Sequence, residues 1–158
     1  SKAYYFANGD EHLEDGSLTE AAGPSREMIA KRMRKLETIK SALPKPEVLG
    51  VKKGADISFV GWGSSRNVMR DVIRSYESKG LKVNYLHYSF VWPLKEEAAK
   101  KFFEENPNVH LIEGNYQGQF GALVEAKAKV DFKGRLLKWD GRPFFLDDAS
   151  DYIDKNLK

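Results

Sequence analysis

A chain of 158 residues with 41% hydrophobic and 31% charged side chains has the size and balance of one ordinary globular domain. A formal charge of +3 is too small to imply nucleic acid as the default partner, and no run approaches the roughly 18 apolar residues of a membrane helix. The absence of cysteine excludes disulfides, thiolate nucleophiles, Cys-ligated zinc and thiolate-bound iron–sulfur clusters from this chain, and it fits a reducing, cytoplasmic compartment.

The chain begins with Ser1-Lys2 rather than Met, which suggests a processed or engineered start, and it reads as a piece of something longer. The apolar run Ala3-Tyr4-Tyr5-Phe6-Ala7 is too short for a signal peptide and lacks a preceding basic region. Residues 1–23 are rich in turn formers and acids, as in Asn8-Gly9-Asp10-Glu11-His12 and Glu14-Asp15-Gly16-Ser17, and read as a linker or surface arm. Residues 24–158 read as a single domain. Pro24-Ser25 opens a helix with Met28, Ile29, Met33, Leu36, Ile39 and Leu43 at helical spacing, opposite Lys31, Arg32, Arg34, Lys35 and Lys40. Leu43-Pro44-Lys45-Pro46 ends it.

Three strand-then-helix units follow. Residues 56–60 form a β-rich strand leading into Gly61-Trp62-Gly63-Ser64-Ser65 and a helix whose inner face is Val68, Met69, Val72, Ile73 and Tyr76, closed by Lys79-Gly80. Residues 81–86 are a second strand, running into His87-Tyr88-Ser89-Phe90-Val91-Trp92-Pro93 and a helix over about 95–105 that turns Ala98, Ala99, Phe102 and Phe103 inward. Val109-His110-Leu111-Ile112 is the third strand, followed by Glu113-Gly114-Asn115-Tyr116-Gln117-Gly118-Gln119 and a helix to about Ala128. Strands alternating with helices at this interval imply an α/β fold, three layers α/β/α around a mostly parallel sheet. The tail holds a turn-forming Asp140-Gly141 and a last helix carrying Tyr152, Ile153 and Leu157, with Asp147-Asp148 at its start.

Two loops are candidate sites. Gly61 to Ser65 lies where phosphate-binding loops lie, at a strand end and a helix N-terminus, with glycines for close approach and hydroxyls to donate. Arg66 stands where the dinucleotide fingerprint needs its third glycine, and Asn84 and His87 stand where an acid would hold a ribose. A tight turn capped by Ser64 or Ser65 accounts for the same residues. Glu113 to Gln119 gathers a carboxylate, amides and a phenol at the carboxyl end of a strand, where open parallel sheets bind ligands. Its amides also suit the satisfaction of loop and helix-end groups. The sequence therefore marks Gly61, Trp62, Gly63, Ser64, Ser65, His87, Glu113, Asn115, Tyr116 and Gln119 as interface or ligand positions. The three histidines, His12, His87 and His110, lack metal-ligand spacing; His110, inside a strand, reads as structural. No Ser–His–Asp, H-E-x-x-H or Walker pattern occurs, so neither catalytic nor metal-binding residues are assigned. The basic face of the first helix is interrupted by Glu27 and Glu37, and i,i+4 pairing explains it more cheaply than RNA.

Taken in order, the motifs resemble one family. Glu11-His12 with its acidic arm and Lys31-Arg32-Met33-Arg34-Lys35-Leu36-Glu37 are similar to the region after the pyrimidine-binding domain of 2-oxoacid:ferredoxin oxidoreductase α subunits. Val60-Gly61-Trp62-Gly63-Ser64, Leu86 to Pro93, Glu113 to Gln119, and Trp139-Asp140-Gly141-Arg142-Pro143-Phe144 resemble the C-terminal, transketolase-C-like domain of the same subunits. The Gly118-Gln119 pair resembles the 2-oxoglutarate type. The resemblance implies an enzyme that decarboxylates a 2-oxoacid on thiamine diphosphate with Mg2+, passes electrons through iron–sulfur clusters to ferredoxin, and delivers the acyl group to coenzyme A. It implies that this domain binds none of those cofactors itself. Its partners would be the pyrimidine-binding domain N-terminal to it, the β subunit and, where present, γ and δ subunits, with ferredoxin reached through the complex; neither nucleic acid nor a membrane is expected. The role it leaves to this chain is assembly. The alternatives are a stand-alone nucleotide- or small-molecule-binding domain using Gly61–Ser65 and a basic adaptor using the first helix.

Overall fold

The computed structural model describes residues 9–157, so the apolar run at 3–7 lies outside the described residues. The chain divides into two compact units, residues 1–43 and 44–158.

In the first unit, β1 (Glu11–His12) pairs antiparallel with β2 (Leu18–Thr19), and α1 spans Ala22–Ala42. The acidic arm is thus partly a hairpin. Asp15 Oδ1 accepts the Ser17 backbone N–H at 2.9 Å and its hydroxyl at 2.6 Å, and Gly16 takes φ +88°, which a side chain would resist. The expected boundary at residue 24 falls within the first turn of α1, where Pro24 costs no helical hydrogen bond. Arg32 grips Glu11 through two hydrogen bonds of 3.0 and 2.5 Å, and Lys31 pairs with Glu14. The apolar stripe of α1 enters no core: none of its residues is buried, and Ile29, Met33 and Ile39 are exposed.

The second unit has a five-stranded sheet in the order β3-β5-β4-β6-β7. Its strands are β3 (Glu47–Gly50), β4 (Ile57–Trp62), β5 (Val83–Tyr88), β6 (Val109–Glu113) and β7 (Gly134–Leu137). Only β3 runs antiparallel, against β5. The helices are α2 (Ser65–Glu77), α3 (Glu96–Glu105), α4 (Gln119–Ala128) and α5 (Leu146–Asn156). Side chains alternate between the two faces with period two. Ile57 and Phe59 of β4 join Val83, Tyr85 and Ile112 beneath α2 (Met69, Val72, Ile73, Tyr76) and α5 (Ala149, Ile153). Val60 joins Leu86, Tyr88, Val109 and Leu111 beneath α3 (Ala99, Phe102) and α4 (Phe120, Val124). These two buried layers make the three-layer α/β/α fold that the alternation of elements implied.

The differences from expectation lie at the edges. Neither β3 nor β7 is marked as a strand by the sequence; both are short edge strands, β3 mostly exposed and β7 partly buried, and neither has the fully buried residues that reveal a strand in the sequence. β5 is shifted two residues from 81–86 to 83–88, because the Leu81 N–H closes α2 on the Tyr76 carbonyl at 3.1 Å and the Lys82 N–H goes to Asp56 Oδ2 at 2.7 Å. β4 runs through Gly61 and Trp62, so the loop after it begins at Gly63.

Candidate functional site at the carboxyl ends of the strands

Parallel strands place the ends of β4, β5, β6 and β7 along one edge of the sheet, and every marked residue lies there. The residues divide into an inner set, bonded within the chain, and an outer set of exposed rings.

Gly61 belongs to the inner set. A Cβ at this position would lie 2.6 Å from the Ile112 carbonyl oxygen, so the glycine permits close approach of β6 rather than of a ligand. Gly63 takes φ +62° and turns the chain into α2. Ser64 occupies the cap position without a side-chain cap bond. Ser65 Oγ, buried, donates to the Trp62 carbonyl at 2.7 Å and lies 2.8 Å from Tyr85 Oη, which lies 3.1 Å from His87 Nδ1. The expected hydroxyl cap is therefore replaced by a buried Ser65–Tyr85–His87 chain. Burial lowers the His87 pKa, the nearby Arg66 cation lowers it further and Glu47 opposes both. Arg66 is held by Glu47 through bonds of 2.7 to 3.0 Å, tying the first turn of α2 to β3.

Glu113, buried at the end of β6, receives the N-terminus of α4. Oε1 accepts the Phe120 N–H at 2.9 Å and Oε2 the Gly121 N–H at 3.1 Å, which places a carboxylate at the positive end of the helix. Oε1 also accepts the Asn115 amide at 2.5 Å and the Trp62 indole N–H at 3.4 Å. Asn115 Oδ1 in turn accepts the Gly118 N–H at 2.6 Å. Gln119 is exposed and bonds Gln117 at 3.3 Å. This loop thus brings Trp62, Glu113 and Asn115 into direct contact, while His87 and Ser65 meet only through Tyr85. His110, as expected, is a satisfied structural histidine: Nδ1 lies 2.8 Å from Tyr152 Oη and Nε2 2.8 Å from Asn108 Oδ1.

The outer set is aromatic. Trp62 is 43% exposed, Tyr116 69% and Trp139 61%, and the last two rings cross edge to face with centroids 5.0 Å apart. Trp92, also exposed, rests against Lys127, whose Nζ is 5.3 Å from the ring centroid. A cavity of about 220 Å3 opens between Gly63–Ser65 and Arg142–Phe144, walled by Trp62. Tyr85, Arg66 and Trp139 were not marked as site residues; Tyr85 was legible as the residue two before His87 on the same strand face, while the role of Arg66 needs β3, which the sequence does not reveal. Among the described residues no three His, Asp or Glu side chains converge as metal ligands, and no helix is long and apolar enough to cross a membrane.

The chain is 31% identical over 161 residues to the α subunit of 2-oxoacid:ferredoxin oxidoreductase 1 of Sulfurisphaera tokodaii, a match that takes in 99% of this chain. It is homologous to one segment of that α subunit. The α subunit from Saccharolobus solfataricus is 27% identical over 92% of the chain. The chain spans only about a quarter of the length of these relatives, 25% and 23% respectively. No family model matches. Among solved structures, the α chain of a probable 2-oxoacid ferredoxin oxidoreductase from Thermoplasma acidophilum is 29% identical with a TM-score of 0.50, covering 72% of this chain and 97% of that one. The 2-oxoglutarate:ferredoxin oxidoreductase of Magnetococcus marinus, solved with 2-oxoglutarate, coenzyme A and succinyl-CoA, is similar in fold over 98% of this chain and 27% of its own. Its TM-score is 0.83 at 24% identity. A split-gene transketolase shares the fold at a TM-score of 0.56 and 15% identity, over 70% of this chain and 41% of its own. Homology to the 2-oxoacid:ferredoxin oxidoreductase α subunit and a transketolase-like fold are thus findings from independent comparisons.

Proposed function

We propose that this chain is the C-terminal, transketolase-C-like segment of a 2-oxoacid:ferredoxin oxidoreductase α subunit and that it serves assembly rather than chemistry. The observation that carries the reading is a match to such an α subunit, at 31% identity, that takes in 99% of the chain. The complete cytoplasmic enzyme would oxidatively decarboxylate a 2-oxoacid, with 2-oxoglutarate the favoured substrate, reduce ferredoxin and form the acyl-CoA. Thiamine diphosphate, Mg2+ and the iron–sulfur clusters would be held by other domains and subunits. The donor set agrees, since a chain without cysteine offers no thiolate to a cluster. Coenzyme A would bind in the complex. The marked residues support a positioning role: Ser65, His87, Glu113 and Asn115 spend their polar groups within the chain, which leaves Trp62, Tyr116 and Gln119 to meet the pyrimidine-binding domain or the β subunit.

The test is an assay of the whole complex beside the 158-residue chain. The complex should reduce ferredoxin in a reaction that needs both 2-oxoacid and coenzyme A, and the chain alone should do neither step. Acyl-CoA formation by the chain alone would overturn the assembly role. The cavity beside Gly63–Ser65 gives one observation in favour of a stand-alone binding domain. Micromolar binding of a nucleotide to the isolated chain would favour that reading instead.

A further inference from the structure

The buried Ser65–Tyr85–His87 chain has a direction. Ser65 holds one hydroxyl proton and donates it to the Trp62 carbonyl at 2.7 Å, so towards Tyr85 it can only accept. Burial raises the Tyr85 pKa and keeps its single proton in place, and that proton goes to Ser65 Oγ at 2.8 Å. Tyr85 Oη is then the acceptor at its other contact, 3.1 Å from His87 Nδ1, and Nδ1 must carry a hydrogen. Neutral His87 is therefore the Nδ1–H tautomer, with an uncommitted lone pair on Nε2. Among the described residues, only Ser58 Oγ and Asn84 Oδ1 are side-chain atoms both sealed from solvent and without a partner. Nε2, which has no partner, thus keeps an opening to solvent.

Each neighbouring element presents a defined group to this ring. Glu47 of β3 is the ladder partner of His87, and residues directly opposite in an antiparallel pair share a face, with Cβ atoms about 4.5–5.5 Å apart. The same carboxylate holds Arg66, in the first turn of α2, through bonds of 2.7 to 3.0 Å. The neighbour on β4 is Gly61, which brings no charge, and β5 itself supplies Tyr85. One anion and one cation therefore act on His87. Burial and Arg66 lower its pKa and Glu47 raises it, so the ring takes up a proton only below the ordinary value of 6.5. Uptake at Nε2 leaves the Nδ1–H bond and the buried chain unchanged, while it sets a second cation beside the one carboxylate.

We propose that His87 is an acid-operated release for the fastening of α2 to edge strand β3. The neutral ring leaves Arg66 closed on Glu47; the ring protonated at Nε2 competes with Arg66 for that carboxylate and loosens it. Arg66 directly follows Gly63–Ser65, so the release acts beside the cavity those residues line. The device goes beyond the assembly role and stands or falls without it.

Imidazole nitrogen NMR and arginine side-chain hydrogen exchange of the 158-residue chain, followed from about pH 7.5 to about pH 5, test the proposal. At the upper end His87 should show a protonated Nδ1 and a bare Nε2; the opposite tautomer overturns it. Exchange of the Arg66 Nε–H, corrected for its intrinsic pH dependence, should quicken by about two- to fivefold in acid, the range an exposed ion pair commands. The step should share its midpoint with the His87 titration, and a wild-type chain without it refutes the release. His87→Asn keeps an amide donor for Tyr85 but cannot become charged, so it should abolish the step; a step that persists also overturns the proposal. Should that variant fail to fold, Glu47→Gln and Arg66→Gln decide. The first should lower the His87 midpoint and the second should raise it, and a midpoint moved by neither leaves no coupling to operate the release.

Discussion

Asn115 donates its side-chain amide to the same Glu113 oxygen that accepts the Phe120 N–H, at 2.5 and 2.9 Å respectively. One carboxylate thereby fixes both the loop after β6 and the helix that follows it. Glu113→Gln places amide hydrogens against backbone donors and removes the charge from the helix start. A loss of about 1–3 kcal/mol is expected, the cost of disrupting charge-assisted bonds to a buried group. Thermal unfolding of the isolated chain measures it. An unchanged melting temperature would mean that α4 does not depend on this acceptor.

Gly61→Ala should destabilise the chain even though it adds only a methyl group. The new carbon would stand 2.6 Å from the Ile112 carbonyl oxygen and 2.9 Å from its Cγ2, so β4 and β6 must move apart. Overpacking of this kind costs about 1–3 kcal/mol. Urea denaturation should show a lower midpoint with the slope unchanged. Gly63→Ala tests a different cost, since its φ of +62° strains a side chain although no atom lies within 4 Å.

Stability should decline as pH falls below about 6.5, the ordinary histidine value. Burial lowers the pKa of both His87 and His110, so the unfolded chain binds protons that the folded chain refuses. The contribution is complete above 6.5 and is lost between that value and each folded pKa. Melting temperatures of the wild type and of His87→Asn and His110→Asn across this range should show the slope reduced in each variant. A slope unaffected in both would assign the loss to other groups.

The tether between Glu11 and Arg32 should survive mild acid. The Arg32 hydrogen bonds hold the Glu11 pKa at about 2, below its usual value of 4.5. A carboxylate with a lowered folded pKa contributes fully above its unfolded value and loses that contribution as pH falls toward 2. NMR titration of the Glu11 carboxyl should follow this low pKa, and Arg32→Ala should return it toward 4.5. A normal Glu11 titration in the wild type would show that the pair is open in solution.

The interior strands and their helices were legible because burial on one or both faces imposes a hydrophobic pattern, as Ile57-Ser58-Phe59-Val60 and Val68 through Tyr76 show. Edge strand Glu47–Gly50 was not legible, since its identity depends on pairing with Asn84–His87 more than thirty residues away. The marked residues do lie together at the strand ends, but the division between buried and exposed side chains among them was hidden. Glu113 and Tyr116 are three residues apart, yet one is 2% exposed and the other 69%. Composition cannot separate a carboxylate that serves its own helix from a ring that faces outward. The turn at Gly118, with φ +65°, and the start of α4 at Gln119 decide it.

The strand order β3-β5-β4-β6-β7 also governs how the second unit acquires its structure. Every pairing in that sheet joins strands separated in sequence by at least one helix, and β3 bypasses β4 altogether to reach β5. No hairpin can form ahead of the rest, so each ladder must first close a long loop at an entropic cost. The first unit along the chain with a pairing of its own is β4–α2–β5. A nascent chain can complete its first ladder of this sheet only after Tyr88 has emerged, and β3, made first, must wait past β4 and α2 for its neighbour.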